Sequence, residues 1–113
     1  DRKTPAGMAL VYRLSGDYNP LHAEPAIARA AGFERPILHG LATYGIAGWA
    51  LTQAAGQGDP KRIASIETRF SSPVYPGETI RTEIWLDGSV ASFRARVVER
   101  DVVVLNNGRA TLR

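Results

Sequence analysis

The sequence predicts an α+β fold in which an antiparallel sheet curls around one central buried helix. Residues 40–55, GLATYGIAGWALTQAA, form a helical run without a polar face, which is typical of a helix enclosed by the rest of a protein. From residue 66 onwards, apolar and polar residues alternate with a period of two, as they do in antiparallel strands. The chain has 113 residues, the length of one ordinary domain, so we predict a single domain over residues 1–113.

The N-terminal part is predicted to contain an extended segment and a first helix. Residues 1–6 read as an extended or flexible lead-in, whereas residues 8–14 fit a short helix or a strand equally well. Asn19 precedes Pro20, whose fixed φ suits a first helical turn, so we expect Asn19 to cap a helix that begins at Pro20. That helix would run to about residue 31, where Gly32 supplies the left-handed conformation that commonly ends a helix.

The central helix contains two glycines and a tryptophan. Gly45 and Gly48 each cost about 1 kcal/mol of helix stability relative to Ala, and close packing of the helix against the sheet is the expected reason for them. Trp49, on the same helix, is expected to belong to the core.

The second half of the chain is predicted to form four strands. Asp87 and Gly88 are a strong hairpin signal between the second and the third. The last strand begins at Val102, and we expect one long strand with a bulge near Gly108 rather than another hairpin. Trp85 is out of phase with the apolar positions of its strand and is expected at the surface or in an interface. In the first two of these strands one face is predicted to hold Ile66, Thr68 and Phe70, then Ile80, Ile84 and Leu86; in the third, the residues predicted to face inward are Phe93, Ala95 and Val97.

Charge and composition restrict the classes of partner. Twelve of the fourteen basic residues are arginine, which favours forked recognition of phosphate and carboxylate, so an anionic partner is expected. The arginines are scattered without interleaved aromatic residues or a basic helix, which argues against nucleic acid. The sequence has neither a run of about 18 apolar residues nor a signal-peptide core, so no membrane span is predicted.

The absence of cysteine excludes disulfides, thiolate nucleophiles and cysteine metal sites. It fits a reducing compartment, and we predict a cytoplasmic location. The sequence begins at Asp1 rather than Met, as a fragment or a processed product would.

Asp17 and His22 are the candidate proton-handling residues. His22 falls in the first turn of the predicted helix, where the helix dipole disfavours a positive charge, so the imidazole is expected to be neutral and able to accept a proton. A tight turn can bring the carboxylate of Asp17 beside it, which is the arrangement that general acid–base catalysis needs. Spacing alone favours a plainer role, in which Asp17 and Asn19 shape the turn and His22 is a polar group satisfied at a helix end.

A family resemblance changes that balance. The segments LSGDYNPLH at residues 14–22, PILHG at residues 36–40 and RFSSPVYPGE at residues 69–78 resemble the hydratase 2 family, the MaoC-like (R)-specific enoyl-CoA hydratases. The likeness is closest to the C-terminal half of double hot-dog hydratases, such as those in peroxisomal multifunctional enzymes. It implies a hot-dog fold and reversible hydration of trans-2-enoyl-CoA to (3R)-3-hydroxyacyl-CoA.

The resemblance also assigns the site. It implies that Asp17 and His22 hold the water and transfer its protons, with Asn19 fixing the water and the pair. The backbone N–H of Gly40, at the start of the buried helix, is the candidate donor to the thioester oxygen. No metal or redox cofactor is implied, and coenzyme A is part of the substrate. The residues that the match places against bound acyl-CoA are Tyr18, Pro20, Leu21, Gly40 and Phe70.

Three matters stay open at this point. His39 is expected to support the site, although a second general acid is conceivable, and Arg69 is either a partner of a CoA phosphate or a solvated arginine. The rival functions are a thioesterase, which the same fold supports, and a non-catalytic acyl-CoA-binding subunit.

The chain is expected to work with a partner. One hot dog leaves a sheet edge open and is too small to enclose a long thioester while keeping its own core. We therefore expect either a homodimer joined edge to edge or a heterodimer with another hot-dog chain that lacks the motif. The interface should be large and fairly apolar, above about 2,000 Å² in total.

Overall fold

The computed structural model describes residues 1–10 and 19–113 of the chain. Two short 3-10 helices lie just before an α-helix and a strand, at Pro20–His22 and Pro60–Arg62. Apart from a helical turn at residues 8–10, the α-helices and strands of the described residues are β1 (Arg2–Lys3), α1 (Pro25–Ala30), α2 (Gly40–Ala54), β2 (Ile63–Phe70), β3 (Thr79–Asp87), β4 (Val90–Val97) and β5 (Val102–Leu112).

The five strands form one antiparallel sheet in the order β1-β3-β4-β5-β2. Strands β3 and β4 form the predicted hairpin: Asp87 pairs with Val90, and Gly88 has a φ of 60° in the turn between them. The N-terminal segment is extended, since Arg2 pairs with Ile80 at the far edge of the sheet. The observed architecture is the predicted α+β arrangement of one sheet around one long helix.

The core lies between α2 and the inner face of the sheet. Phe93, Ala95 and Val97 of β4 are buried, as their alternation with arginines predicts, and they belong to the same apolar core as Ala47 and Leu51 of the helix. Between them Arg94 and Arg96 point outward and both bind Glu83 of β3, with each Nε atom 3.0 Å from Oε1. Alternate residues of β4 therefore lie on opposite faces of the sheet, the apolar ones in the core and the arginines on the outer face beside Glu83.

Helix α2 is apolar on all sides but is buried on only one. Ala47 and Leu51 face the core, whereas Leu41 is 69% exposed and Trp49 is 45% exposed. The prediction that Trp49 belongs to the core is wrong, because it lies eight residues after Leu41 on the outward face. The guanidinium of Arg2 lies 4.8 Å from the centre of the Trp49 ring. Trp85 is 54% exposed, which confirms that it lies outside the core, as predicted for a residue at the surface or in an interface.

The single helix predicted from Pro20 to about residue 31 is in fact two. The chain makes one 3-10 turn at Pro20–His22, becomes extended at Glu24 with φ −105° and ψ 112°, and begins α1 at Pro25. Proline lacks the N–H for a helical hydrogen bond and disfavours the α conformation in the residue before it, so Pro25 ends one helix and starts the next. The predicted end is correct, since Gly32 follows α1 with a φ of 95°.

Strand β5 contains the predicted bulge. Phe93 pairs with Gly108 and Ala95 pairs with Leu105, so two residues of β5 lie opposite one of β4. Asn107 takes up the irregularity with a φ of 52°. A Cβ on Gly108 would lie 2.5 Å from the carbonyl oxygen of Phe93, closer than real Cβ contacts allow, so the bulge requires glycine there.

The segment predicted at residues 8–14 is helical at residues 8–10, and its remainder lies outside the described residues. Within residues 1–10 and 19–113, no helix combines the length and the hydropathy needed to cross a membrane.

Candidate active site

The turn before His22 is shaped by Asn19. Its side-chain oxygen accepts a hydrogen bond from the N–H of Leu21 at 3.0 Å, and Pro20 occupies the first helical position. This confirms that Asn19 caps a helix beginning at Pro20. The turn is also tied to the segment before α2, because the N–H of Ile37 donates to the carbonyl oxygen of Leu21 at 3.4 Å.

The ring of His22 is fixed by a backbone carbonyl. Its Nδ1 atom lies 2.8 Å from the carbonyl oxygen of Ile37. A carbonyl oxygen can only accept, so Nδ1 carries the hydrogen and donates it. In the neutral ring this leaves Nε2 with a free lone pair, which is the form that a general base requires.

His22 and His39 form a stacked pair. Their ring centroids are 3.7 Å apart, and the ring planes differ by 24°. His39 is only 4% exposed and occupies the N-cap position of α2, where its side chain makes no capping hydrogen bond. The two histidines of the chain therefore come together across 17 residues of sequence, in contact through their ring faces.

Gly40 begins α2 and lies directly against Phe70. Its N–H belongs to the first helical turn, whose amides have no acceptor within the helix and lie at the positive end of the helix dipole. A Cβ on this residue would lie 3.2 Å from Cε1 of the Phe70 ring. The structure thus joins two residues that are distant in sequence and that the family resemblance assigns to substrate contact, Gly40 and Phe70.

A cleft of about 320 Å³ opens beside Gly40 and Phe70. Its walls are mostly apolar, which suits a thioester and an acyl chain better than a charged ligand. The lining comes from the segment before α2, from α2 itself and from the loop after β2: Phe33, Ile37, Leu38, Gly40, Thr43, Phe70, Ser71, Ser72, Pro73 and Val74.

A smaller cleft of about 190 Å³ includes His22. Its wall carries a cation, Arg35, whose Nη1 donates to the carbonyl oxygen of Pro76 at 3.0 Å. The remaining lining residues are Ala6, Ala9, Leu10, Ala23, Pro36 and Pro76.

The loop after β2 is anchored by a buried carboxylate. Glu78 is 7% exposed, and its side chain accepts hydrogen bonds from the N–H of Tyr75 at 2.7 Å and from the guanidinium of Arg100. Burial acts to raise the pKa of Glu78, but the Arg100 and Tyr75 hydrogen bonds and the charges of Arg100 and Arg35 outweigh it and hold the pKa below its ordinary value. Since Leu38 donates to the carbonyl oxygen of Val74 at 2.7 Å, this loop also fixes the segment that carries His39 and Gly40.

The sequence-predicted site residues are thus brought together in part. Asn19, Pro20, Leu21 and His22 lie on one turn, and Gly40 contacts Phe70. Asp17 and Tyr18 lie outside the described residues, so the predicted pairing of Asp17 with His22 stays a prediction. Pro20 and Leu21 are half-buried, but within the described part of the chain they are not among the residues lining either cleft.

Sequence reasoning missed two partners of His22. The carbonyl of Ile37 has no signature in the sequence, because any residue supplies one. The stack with His39 has no local signature either, because its geometry depends on two segments meeting in the fold. Arg69 is exposed, which fits either role predicted for it.

Comparison with known proteins gives consistent results. The family model described as MaoC like domain matches residues 1–108. A protein named peroxisomal enoyl-CoA hydratase 2, from Arabidopsis thaliana, is 49% identical over 105 residues, covering 93% of this chain and 34% of that protein. A protein named 3-hydroxyacyl-thioester dehydratase Y, from Mycobacterium tuberculosis, is 50% identical over 114 residues, covering 96% of this chain and 39% of that protein.

The fold is shared with a solved relative. The crystal structure of a MaoC-like dehydratase from Phytophthora capsici matches with a TM-score of 0.93 at 47% identity, covering 98% of this chain and 38% of that one. This likeness confirms the predicted hot-dog fold. The chain spans little more than a third of the length of these relatives.

Proposed function

The chain belongs to the MaoC-like domain family, and from that premise we propose that it hydrates trans-2-enoyl-CoA thioesters reversibly to (3R)-3-hydroxyacyl-CoA. The names of the two relatives, an enoyl-CoA hydratase and a 3-hydroxyacyl-thioester dehydratase, describe the two directions of such a reaction and support the proposal. Because the chain spans only part of each relative, the activity is proposed for this chain on the strength of its own site.

The observation that carries the proposal is the hydrogen bond from His22 to the carbonyl of Ile37. With Nδ1 committed as a donor, Nε2 is available to take a proton from water as the water oxygen bonds to C3 of the enoyl group. A proton is then delivered to C2 on the same face, and the catalytic pair returns to its starting state. We assign Asp17 as the second member of the pair and Asn19 as the residue that orients the water.

The negative charge that builds on the thioester oxygen during attack needs a donor already in place. The N–H of Gly40 supplies it in this proposal, reinforced by the positive end of the α2 dipole. Loss of one such donor typically costs about 100- to 1000-fold in turnover. The missing side chain of Gly40 leaves room for the Phe70 ring to pack beside that amide. No cofactor beyond the coenzyme A of the substrate belongs to the proposal.

The acyl-CoA itself is assigned to the cleft of about 320 Å³ beside Gly40 and Phe70. Phe70 would pack against the bound thioester. Pro20 and Leu21 do not line this cleft, so their contact with the substrate, like that of Tyr18, stays a prediction from the family resemblance.

An assay with crotonyl-CoA separates this proposal from its rivals. Hydration removes the absorbance of the conjugated enoyl thioester, hydrolysis by a thioesterase releases free thiol, and a binding subunit does neither. We expect loss of absorbance without thiol release, and chiral analysis of the product should give the 3R alcohol. Thiol release, or no reaction by the chain in its proper assembly, would contradict the proposal.

We also propose that the chain acts with a second hot-dog unit, either an identical chain or a motif-free one. The support is the outward face of α2, where Leu41, Gly45 and Trp49 recur at four-residue spacing and the two large side chains are 69% and 45% exposed. A cleft of about 390 Å³ lies beside Trp49, between α2 and the N-terminal segment. Exposed apolar faces of this kind are typical of surfaces that associate.

The cytoplasmic location stays a prediction. The Arabidopsis relative is named peroxisomal. The proposed site requires only acyl-CoA, so it does not favour one compartment over the other.

A further inference from the structure

We propose that His39 is a positioning residue that sets the plane of the His22 ring, an inference that rests on the function proposed above. His39 occupies the N-cap position of α2, but its side chain makes no capping hydrogen bond to the helix. It is 4% exposed, so its ring lies inside the fold beside that of His22. The contact that its ring makes with His22 accounts for a flat side chain at this position.

The hydrogen bond from Nδ1 to Ile37 fixes only one point of the His22 ring. The terminal torsion of histidine is broad, so a ring held at one atom can still tilt about that bond and move Nε2. The face of His39, 3.7 Å away and within 24° of parallel, removes that freedom. The hydrogen bond and the stack together determine where Nε2 points.

The backbone of His39 also connects the stack to the start of α2. Gly40, the proposed donor to the thioester oxygen, is the next residue, and the carbonyl of His39 accepts the first hydrogen bonds of α2, from Ala42 at 3.1 Å and Thr43 at 3.3 Å. His39 is therefore joined to the base through its ring and to the oxyanion donor through its backbone. The distance between these two reacting groups depends on the stack, and a displacement of about 1 Å in such a distance can cost about 100-fold in rate.

Three variants test this role: His39→Leu removes the flat ring but keeps the bulk, His39→Gln keeps polarity without a ring, and His39→Phe keeps a flat ring without a nitrogen. We expect kcat to fall by about 10-fold or more in His39→Leu and His39→Gln, with KM changed by less than about 3-fold, because the loss is in the transition state. His39→Phe should recover most of the lost turnover. Circular dichroism and thermal unfolding show whether each variant is folded.

A measurement independent of activity accompanies the kinetics. In ¹⁵N-labelled protein, the ring shifts of His22 report which nitrogen carries the hydrogen, and contacts between ring protons report the stack with His39. We expect the tautomer protonated at Nδ1 in every variant, because the hydrogen bond to Ile37 remains. Contacts between the rings at positions 22 and 39 should be present in the wild type and in His39→Phe. In His39→Leu the His22 ring should be more mobile, which the relaxation of its ring signals reports. This result stands even if the wild type does not hydrate crotonyl-CoA, in which case the proposed function fails and the positioning role does not.

Two outcomes would overturn the inference. Full turnover in His39→Leu and His39→Gln would show that the stack does not matter. Loss of turnover in His39→Phe equal to that in His39→Leu, with recovery in His39→Gln, would show that a polar group at position 39 takes part in the chemistry instead. If His39→Leu does not fold, the comparison of His39→Gln with His39→Phe decides the matter in the same way.

Discussion

The ring of Phe70 lies over Gly40 so closely that a Cβ on residue 40 would be 3.2 Å from its Cε1 atom. This contact places an aromatic face beside the first amide of α2, the proposed donor to the thioester oxygen. A side chain at position 40 would displace the ring and occupy the approach to that amide.

Gly40→Ala should therefore lower kcat/KM by about 10- to 100-fold while leaving the fold intact, since a lost oxyanion contact acts on the transition state. The matched control is Gly48→Ala on the same helix, where the nearest atom to an added Cβ is Cδ1 of Ile66 at an ordinary 3.7 Å. The control should retain activity and gain up to about 1 kcal/mol of stability. Steady-state kinetics and thermal unfolding of both variants provide the comparison, and a fully active Gly40→Ala protein would contradict the oxyanion assignment.

Asp17→Asn and His22→Ala should each remove most of the hydration activity, because both residues are assigned to one transition state. For the same reason the double variant should be little worse than either single one. Positioned acid–base groups typically contribute about 100-fold or more, so a single variant that kept more than about a tenth of wild-type turnover would lose its catalytic assignment. His22 lies on a turn also held by the Asn19 cap, so His22→Ala should remain folded.

Activity should fall on the acid side of its pH profile. Protonation of the His22 ring removes the lone pair at Nε2 that accepts the proton from water. A profile of kcat/KM that stayed flat from about pH 5 to about pH 9 would be incompatible with this assignment.

Most of the sheet could be predicted because apolar and polar residues alternate along the strands with a period of two. Phe93, Ala95 and Val97 are buried as expected, and glycine at position 108 marked the bulge. The sequence analysis did not predict the break between the 3-10 turn and α1. A proline can either begin a helix or interrupt one, and Pro25 does both, because it ends the turn that starts at Pro20 and begins α1.

Two other features could not be read from periodicity. Helix α2 is apolar all round, so its pattern does not tell which face meets the core, and Trp49 was assigned to the wrong side. The hydrogen bond of His22 to the carbonyl of Ile37 and its stack with His39 arise from the meeting of two segments, which local sequence does not encode.

Glu78 should stabilise the fold in a pH-dependent way. Its folded pKa lies below the ordinary value of 4.5, so its contribution is fully present above that pH and is lost as the pH falls through the lowered folded pKa. Glu78→Gln should therefore cost about 1 to 3 kcal/mol near neutral pH, since it leaves the partly buried Arg100 without its carboxylate.

Urea unfolding of wild type and Glu78→Gln at a series of pH values tests this prediction. The difference in unfolding free energy should shrink below about pH 4.5. Glu67→Gln is the control, because Glu67 is exposed and lies 3.6 Å from Arg109, and such surface pairs contribute less than about 1 kcal/mol. A Glu78 difference that stayed constant down to about pH 3 would contradict the role assigned to its charge.

The outward face of α2 should be an interface between hot-dog units. Leu41 is 69% exposed in this chain, so a charged residue there costs little in the isolated unit, but it would bury a charge without a partner in an assembly. Leu41→Glu should therefore lower the mass measured by light scattering at micromolar concentration and lower the activity with it. Leu86→Glu is a matched control, because Leu86 is 56% exposed but lies at the end of β3.

The same measurement with and without a co-expressed motif-free hot-dog chain distinguishes a homodimer from a heterodimer. An interface between obligate partners buries about 2,000 Å² or more, which a small chain with an open sheet edge and an apolar helix face can supply. A Leu41→Glu protein with the mass of the wild type would remove α2 from the interface. A monomeric wild type with full hydratase activity would refute the association itself, because one unit would then hold the whole thioester within its own clefts.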